Sequence, residues 1–185
     1  MQCIKTGELM NWYIEAVQSH PIIMAIIQFA ILGTLGEAAS HWVVKKKFFW
    51  PFDVKSTLWK MVVWSILAVC IKYAFAGMKG YVHALVDHDL LPMACETNRF
   101  AKAFAISVAA NLQFGMFMVI FHRVLDNIIL KDKNWKNLDK GFKCMIWFWI
   151  PAHTITFSLP PHFQIGLAAM WSVALGVLLG SFNKK

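Results

Sequence analysis

The chain has 185 residues, 58 % of them hydrophobic, and a mean hydropathy of +0.53. Its formal charge is +8, but the basic residues lie between the apolar segments, where they indicate membrane topology rather than a nucleic-acid-binding face. The apolar runs are near-continuous, which argues against a β-barrel, because barrel strands alternate apolar and polar residues. We therefore predict an all-α integral membrane protein, folded as a single helical bundle over residues 1–185.

The first predicted element is a short amphipathic helix, Glu8–His20, at the membrane interface, with Trp12 as an anchor and Pro21 directly after it. Five spans follow, each close to the ~20 residues that a bilayer core requires. They cover Pro21–Val44, Leu58–Met78, Ala101–Arg123, Phe142–Leu159 and His162–Phe182.

The fourth span is the weakest, since Pro160 and Pro161 follow it directly. The last two segments then form either a hairpin or a pair of partly re-entrant helices, and a four-span arrangement is the alternative to five. Within the fourth span, Pro151 removes a backbone donor and predicts a kink near Trp147.

The lysines and arginines predict the orientation, because inside loops carry the excess of these residues. In the five-span arrangement the loops after spans one and three and the C-terminus share one side, and that side holds most of the basic residues. The N-terminus is therefore predicted outside and the C-terminus inside. Inside-loop lysines are candidates for binding anionic lipids: Lys45, Lys46, Lys47, Lys133 and Lys136.

Two charged residues, Glu37 and Lys72, lie within predicted spans, where a charge costs at least ~2.5 kcal/mol on insertion scales. Glu37 shares a helical face with Gly33 and Ser40, which predicts that it faces the bundle interior. Its expected depth differs from that of Lys72, so a direct ion pair between them is not favoured. Lys60 is predicted to be an interfacial anchor rather than a pore residue, as is Arg123.

The third span presents a polar or small face that includes Asn111 and His122, and the fourth span carries His153 near mid-membrane. Together with Glu37 and Lys72 these residues sample several depths of the bundle. They predict either a lined aqueous path or a structural network of hydrogen bonds between helices.

Cysteine and histidine spacing predicts no metal site and no cofactor. The four cysteines show no close pairing, and His83 and His88 lie on different sides of a helix. A nucleophile with a base and a nucleotide-binding loop are likewise missing from the sequence patterns, so an enzyme is not expected.

The last span carries a seam of small residues at four-residue intervals: Ala168, Ser172, Gly176 and Gly180. Such a seam lets two helices approach closely. It predicts either a homo-oligomer through this face or an interface within the chain.

Several local patterns, in this order, resemble the Mpv-seventeen and twenty-two-kilodalton peroxisomal membrane protein family. The matching residues are Tyr13, Ala16, His20 and Pro21 for the family's opening Y-x-x-x-L-x-x-x-P element; Gly33, Thr34, Gly36 and Glu37 for its G-x-x-G-D segment, with Glu in place of Asp; Lys45 to Lys47 for its basic loop; and Asn134, Trp135, Trp149, Pro151, Phe157, Leu159, Pro161 and Phe163 for its closing W-P … N-F-x-x-V-P-x-x-x-R signature.

The chain departs from the closing signature at Ile150, at Thr156 and at Gln164, which stands where the family usually has Arg. The family's members are small integral proteins of mitochondrial inner, peroxisomal or related membranes, and several are regarded as channels. The resemblance therefore implies a channel in a mitochondrial or peroxisomal membrane, with a bacterial inner membrane as the alternative location.

Two functions are predicted from these features. The first is a poorly selective channel or pathway for ions or small solutes, lined by Glu37, Lys72, Asn111, His153 and His122. The alternative is a non-conducting scaffold or adaptor whose basic loops bind anionic lipids or a protein partner.

Overall fold

The computed structural model describes residues 6–129, 133–136 and 138–182, and within these ranges it contains helices and no strand. Lys131, Lys184 and Lys185, which contribute to the predicted orientation, lie outside the described residues. Four helical stretches in the described ranges are long and apolar enough to cross a membrane: Pro21–Lys45, Val54–Asp87, Arg99–Asn127 and Pro161–Ser181. The predicted all-α membrane bundle is thus confirmed.

The helices are α1 (Thr6–Ser19), α2 (Pro21–Lys45), α3 (Val54–Asp87), α4 (Ala94–Thr97), α5 (Arg99–Ala109), π1 (the π-helical turns Ala110–Gly115), α6 (Met116–Asn127), α7 (Leu138–Cys144), π2 (the π-helical turns Met145–Trp149), α8 (Ile150–Phe157) and α9 (Pro161–Phe182). The segment α5–π1–α6 runs without a break, as does α7–π2–α8. The five columns α2, α3, α5–π1–α6, α7–π2–α8 and α9 alternate in direction along the chain. We call the end where α2, α6 and α9 finish the basic end.

Helix α2 is the central column, packed along its length on both α3 and α9. Its own residues explain this position, because most of the buried ones are alanine or glycine: Ala25, Ala30, Gly33, Gly36, Ala38 and Ala39. Small residues let helices approach closely, which is the usual basis of helix packing in membranes. Burial of apolar surface alone does not drive this packing, because the lipid tails are as apolar as the side chains.

The small-residue seam of α9 packs against α2 within the chain. A Cβ atom added at Gly176 would overlap the Gly36 carbonyl, and one added at Gly180 would lie 2.6 Å from the Ser40 carbonyl oxygen. The interface within the chain, one of the two predicted uses of the seam, is therefore present. In the described residues this face is covered by α2 and is not free for a second copy.

The predicted fourth span corresponds to α7–π2–α8, which is not among the four helical stretches that meet the length and hydropathy criteria. It nevertheless runs antiparallel to the whole third column: α8 packs on α5, π2 on π1 and α7 on α6. Both columns are interrupted by π-helical turns that were not predicted: π1, and π2, which ends two residues before Pro151. The kink predicted near Trp147 stays a prediction.

Helix α1 lies at the end opposite the basic end and ends before Pro21, close to the predicted bounds. The Tyr13 hydroxyl lies 3.3 Å from Gln28 Oε1, to which it donates a hydrogen bond, and burial raises the pKa of Tyr13. Leu9 and Trp12 are more than half exposed. This apolar outer surface is suited to a membrane interface.

Replacing Gly176 with Ala tests the α2–α9 packing. Since the new methyl group would meet backbone atoms of Gly36 that cannot rotate away, we expect Gly176→Ala to lower the free energy of unfolding by about 1–3 kcal/mol, the usual range for overpacking. Gly77→Ala is the matched control, because an added Cβ there meets nothing within 4 Å. Denaturant titration in mixed micelles measures both, and equal stability of the two variants would contradict the packing described.

Candidate functional site: a cavity inside the bundle

A cavity of about 470 Å³ lies inside the bundle, with walls from α2, α3, α9 and both interrupted columns. It extends from His41, Arg123 and Lys140 near the basic end to Asn111 and His153 near the middle of the bundle. Helix α8 packs on α9, whereas within the described ranges no comparable packing joins α7 to α9. The columns α7–π2–α8 and α9 are therefore packed together toward the middle of the bundle and less closely toward the basic end.

An ionisable cluster occupies the wall between these limits. Glu37 Oε2 forms an ion pair with the Lys60 ammonium group, and Glu37 Oε1 accepts a hydrogen bond of 2.9 Å from Trp64 Nε1. His122 Nε2 lies 3.7 Å from Glu37 Oε1 and 3.5 Å from Asp126 Oδ2. One acid on α2 thus meets a base on α3 and a His–Asp pair on α6.

Gly33 allows this cluster to form. It lies one helical turn before Glu37 on α2, and a Cβ atom there would come within 2.5 Å of Trp64 Cγ. The indole fits into the space left by the glycine, stacks on Phe29 with ring centroids 6.1 Å apart, and meets the His122 ring edge-on at 4.8 Å. Trp64 therefore joins the three columns and donates its N–H to the acid.

Deeper in the cavity, Asn111 and His153 form a polar pair between the two interrupted columns. His153 Nδ1 lies 3.2 Å from Asn111 Oδ1, and Asn111 Nδ2 donates to the Ser107 backbone carbonyl at 2.8 Å. Asn111 is 1 % exposed. The predicted structural network is therefore present at this depth, on the wall of the cavity.

Beyond this pair the bundle is closed by apolar side chains from every column. All are at most 8 % exposed: Ala25, Val82, Ala103, Ile106, Phe157 and Ile165. Phe157 packs on Phe75 with ring centroids 4.6 Å apart, and His153 lies on the cavity side of both rings. We call these six residues the apolar closure.

The structure brings together four of the five predicted pathway residues on one cavity: Glu37, Asn111, His122 and His153. Lys72 is not among the lining residues, and no hydrogen bond or ion pair joins it to any described residue. Lys60, predicted as an interfacial anchor, instead extends into the bundle to reach Glu37, and Arg123 lies on the cavity wall.

Three functional candidates were missed by the sequence analysis: Trp64, Asp126 and Lys79. Lys79 Nζ donates to Gln164 Oε1 at 2.6 Å, at the level of the apolar closure, and lies 6.0 Å from the centre of the Phe157 ring. The sequence did carry a signal for Lys79, because it is a charged residue inside the apolar helix α3. The same signal identified Lys72 as a candidate. Of the predicted lipid-contact lysines, Lys45, Lys46 and Lys47 are exposed, while Lys133 donates to the Asn127 carbonyl at 2.5 Å.

Comparison with known proteins adds no relative: no protein-family model matches the chain, and neither the curated proteins nor the solved structures contain a significant match. The fold and the cavity are therefore interpreted on their own geometry.

Glu37→Gln tests whether the ion pair stabilises the bundle. The substitution leaves the Lys60 ammonium without its anion, and since these side chains are only 18–23 % exposed, we expect a loss of about 3 kcal/mol, the lower end for breaking a buried pair. Removing both charges, as Glu37→Gln with Lys60→Met, is expected to restore part of that loss.

The control for this experiment is Asp139→Asn, which breaks the exposed pair with Lys143 at the same end of the bundle. Exposed pairs contribute about 0–1 kcal/mol, so little change is expected. Denaturant titration of the four proteins decides the point. A Glu37→Gln variant as stable as Asp139→Asn would show that the pair does not stabilise the bundle.

Proposed function

We propose that this membrane protein provides a pathway for ions or small solutes, and that the conformation described is its closed state. The observation that supports this is the cavity itself: ionisable and polar side chains lie among apolar ones on its wall, and the apolar closure lies beyond it at mid-bundle. Hydrophobic constrictions block ion passage by excluding water, so an apolar closure of this kind is suited to gating. No covalent chemistry is part of the proposal.

The charges on the cavity wall support a role in selectivity. Glu37 pairs with Lys60 and Asp126 with His122, and Arg123 and Lys140 also line the cavity. Basic groups at a pore entrance concentrate anions. We propose a weak preference for anionic solutes, with Glu37 setting the charge at the narrowing part of the cavity.

The location of the protein is part of the same proposal. The excess of lysine at the basic end supports an N-terminus outside and a C-terminus inside. The motifs that resemble the Mpv-seventeen and twenty-two-kilodalton peroxisomal membrane protein family support a mitochondrial or peroxisomal membrane, with a bacterial inner membrane as the alternative.

Flux through liposomes containing the purified protein tests the pathway. Truncating the apolar closure with Phe157→Ala is expected to raise small-ion flux about tenfold or more, because the ring removed seals the inner end of the cavity. Ile106→Ala, at the same closure, is expected to act in the same direction. Glu37→Gln in the Phe157→Ala background is expected to increase the anion-to-cation permeability ratio.

The matched control is Phe104→Ala, which removes an equal ring from α5 where it is 49 % exposed and away from the closure. Its flux is expected to equal that of the unsubstituted protein. If folded Phe157→Ala and Ile106→Ala proteins both remain as silent as this control, the pathway proposal fails.

The exposed surface at the end of α2 favours a second candidate function, a non-conducting scaffold that binds anionic lipids. Lys45, Lys46 and Lys47 are exposed at the end of α2, and the following Phe48 is 81 % exposed. A basic run beside an exposed aromatic ring fits an anionic membrane surface. A scaffold of this kind predicts retention of anionic lipid through purification, loss of that lipid when the three lysines are replaced by glutamine, and no flux in any closure variant.

A further inference from the structure

Three side chains with metal-ligating atoms converge on the cavity wall. Glu37 reaches it from α2, and His122 and Asp126 lie one turn apart on α6. One ligand atom from each residue can be chosen so that all three lie within 4.8 Å of one another. The convergence joins positions far apart in sequence.

Two atoms of this group lack hydrogen-bond partners. His122 Nε2 and Asp126 Oδ1 are shielded from solvent, and neither makes a hydrogen bond with any described residue. Buried polar atoms are nearly always satisfied, so two such atoms in one cluster indicate a missing partner. Since one is an imidazole nitrogen and the other a carboxylate oxygen, a metal cation satisfies both.

The spacing of the atoms suits a small cation. Bond lengths of about 2.0–2.2 Å place neighbouring ligand atoms of a tetrahedral zinc site about 3.3 Å apart. His122 Nε2 lies 3.5 Å from Asp126 Oδ2 and 3.7 Å from Glu37 Oε1. The three chosen ligand atoms all lie within 4.8 Å of one another, so side-chain movement brings them to zinc-binding separations, and the cavity of about 470 Å³ leaves room for a water molecule as a further ligand.

The local charge also favours a cation. With His122 neutral, as a ligand must be, Glu37 and Asp126 together carry two negative charges and Lys60 returns one positive charge. Lys60 contacts Glu37 Oε2, whereas the oxygen nearest His122 is Oε1. Lys60 therefore competes electrostatically with a metal without blocking the coordinating oxygen. Arg123 lines the same cavity, and its positive charge also weakens the attraction of the two carboxylates for a cation.

We propose that Glu37, His122 and Asp126 bind one divalent transition-metal ion inside the cavity. One imidazole with two carboxylates favours ions of borderline character such as Zn²⁺ and Fe²⁺ over Mg²⁺ and Ca²⁺, which prefer sites made of oxygen alone. Metal binding does not depend on the proposed flux, because a structural ion in a silent protein would occupy the same ligands.

The test is a zinc titration of the full chain in lipid nanodiscs, without a histidine tag and after treatment with a chelator, in competition with a fluorescent zinc indicator. One ion per chain is expected. His122→Gln and Asp126→Asn are expected to weaken binding at least tenfold. The matched controls, His162→Gln at the opposite end of the bundle and Asp139→Asn on the exposed face of α7, are expected to bind as the unsubstituted protein does.

Lys60→Met distinguishes loss of the metal site from loss of binding through misfolding. Removing the competing ammonium group is expected to tighten zinc binding several-fold, and a gain of affinity does not arise from an unfolded protein. Failure of the unsubstituted protein to bind one ion, or equal binding by the His122 and Asp126 variants and their controls, would overturn the proposal. Weaker binding by Lys60→Met would overturn it as well. Zinc binding without flux would reject the pathway alone, and flux without zinc binding would reject the metal site alone.

Discussion

An acid inside the bundle must be partnered, and the structure is organised around the partners of Glu37. Both oxygens meet a partner on α3, Oε2 at Lys60 and Oε1 at Trp64, and Oε1 also faces His122 on α6. Three columns are therefore held in register by one carboxylate. Small residues make this possible, because Gly33 admits the Trp64 ring and Gly36 brings α9 against the opposite side of α2.

The same arrangement divides the bundle into two unlike halves. Toward the basic end, ionisable and polar side chains lie among apolar ones on the wall of the cavity. Toward the other end the columns meet through the buried alanine, valine, isoleucine and phenylalanine residues of the apolar closure. A polar half that is hydrated and an apolar half that is dry are what a gated pathway requires, and a dry half is also what an inert scaffold would have. The apolar closure is therefore the part of the molecule that distinguishes these functions.

Much of this fold could be predicted from the sequence. Continuous apolar runs separated by basic loops predicted the spans, and the offsets from Asn111 to His122 predicted the face of the third span that now lines the cavity. Glu37 and Lys72 were predicted to lie at different depths and not to pair. In the described residues Glu37 instead pairs with Lys60. Lys60 was harder to predict, because a lysine near the end of a span suits an interfacial position and an inward one equally well.

Asp126 was within reach of the sequence analysis, because it follows His122 by four residues on α6 and therefore shares its face. The π-helical turns of π1 were not, because helical periodicity carries no signal for them. A π-helical turn accommodates an extra residue and sets the following helix back by about 100°. The turns of π1 therefore affect the direction in which both His122 and Asp126 face.

The chemistry of the cavity is therefore set partly by chain length. Shortening π1 by one residue would restore α-helical register and rotate α6 by about 100°, which would turn both His122 and Asp126 relative to α2, although no functional side chain had been replaced. The opposite column carries π2 at the same level, so a matching change there would turn α7 as well. Single-residue insertions or deletions at mid-bundle would thus change the charge of the interior, a kind of variation that a comparison of side chains position by position would overlook.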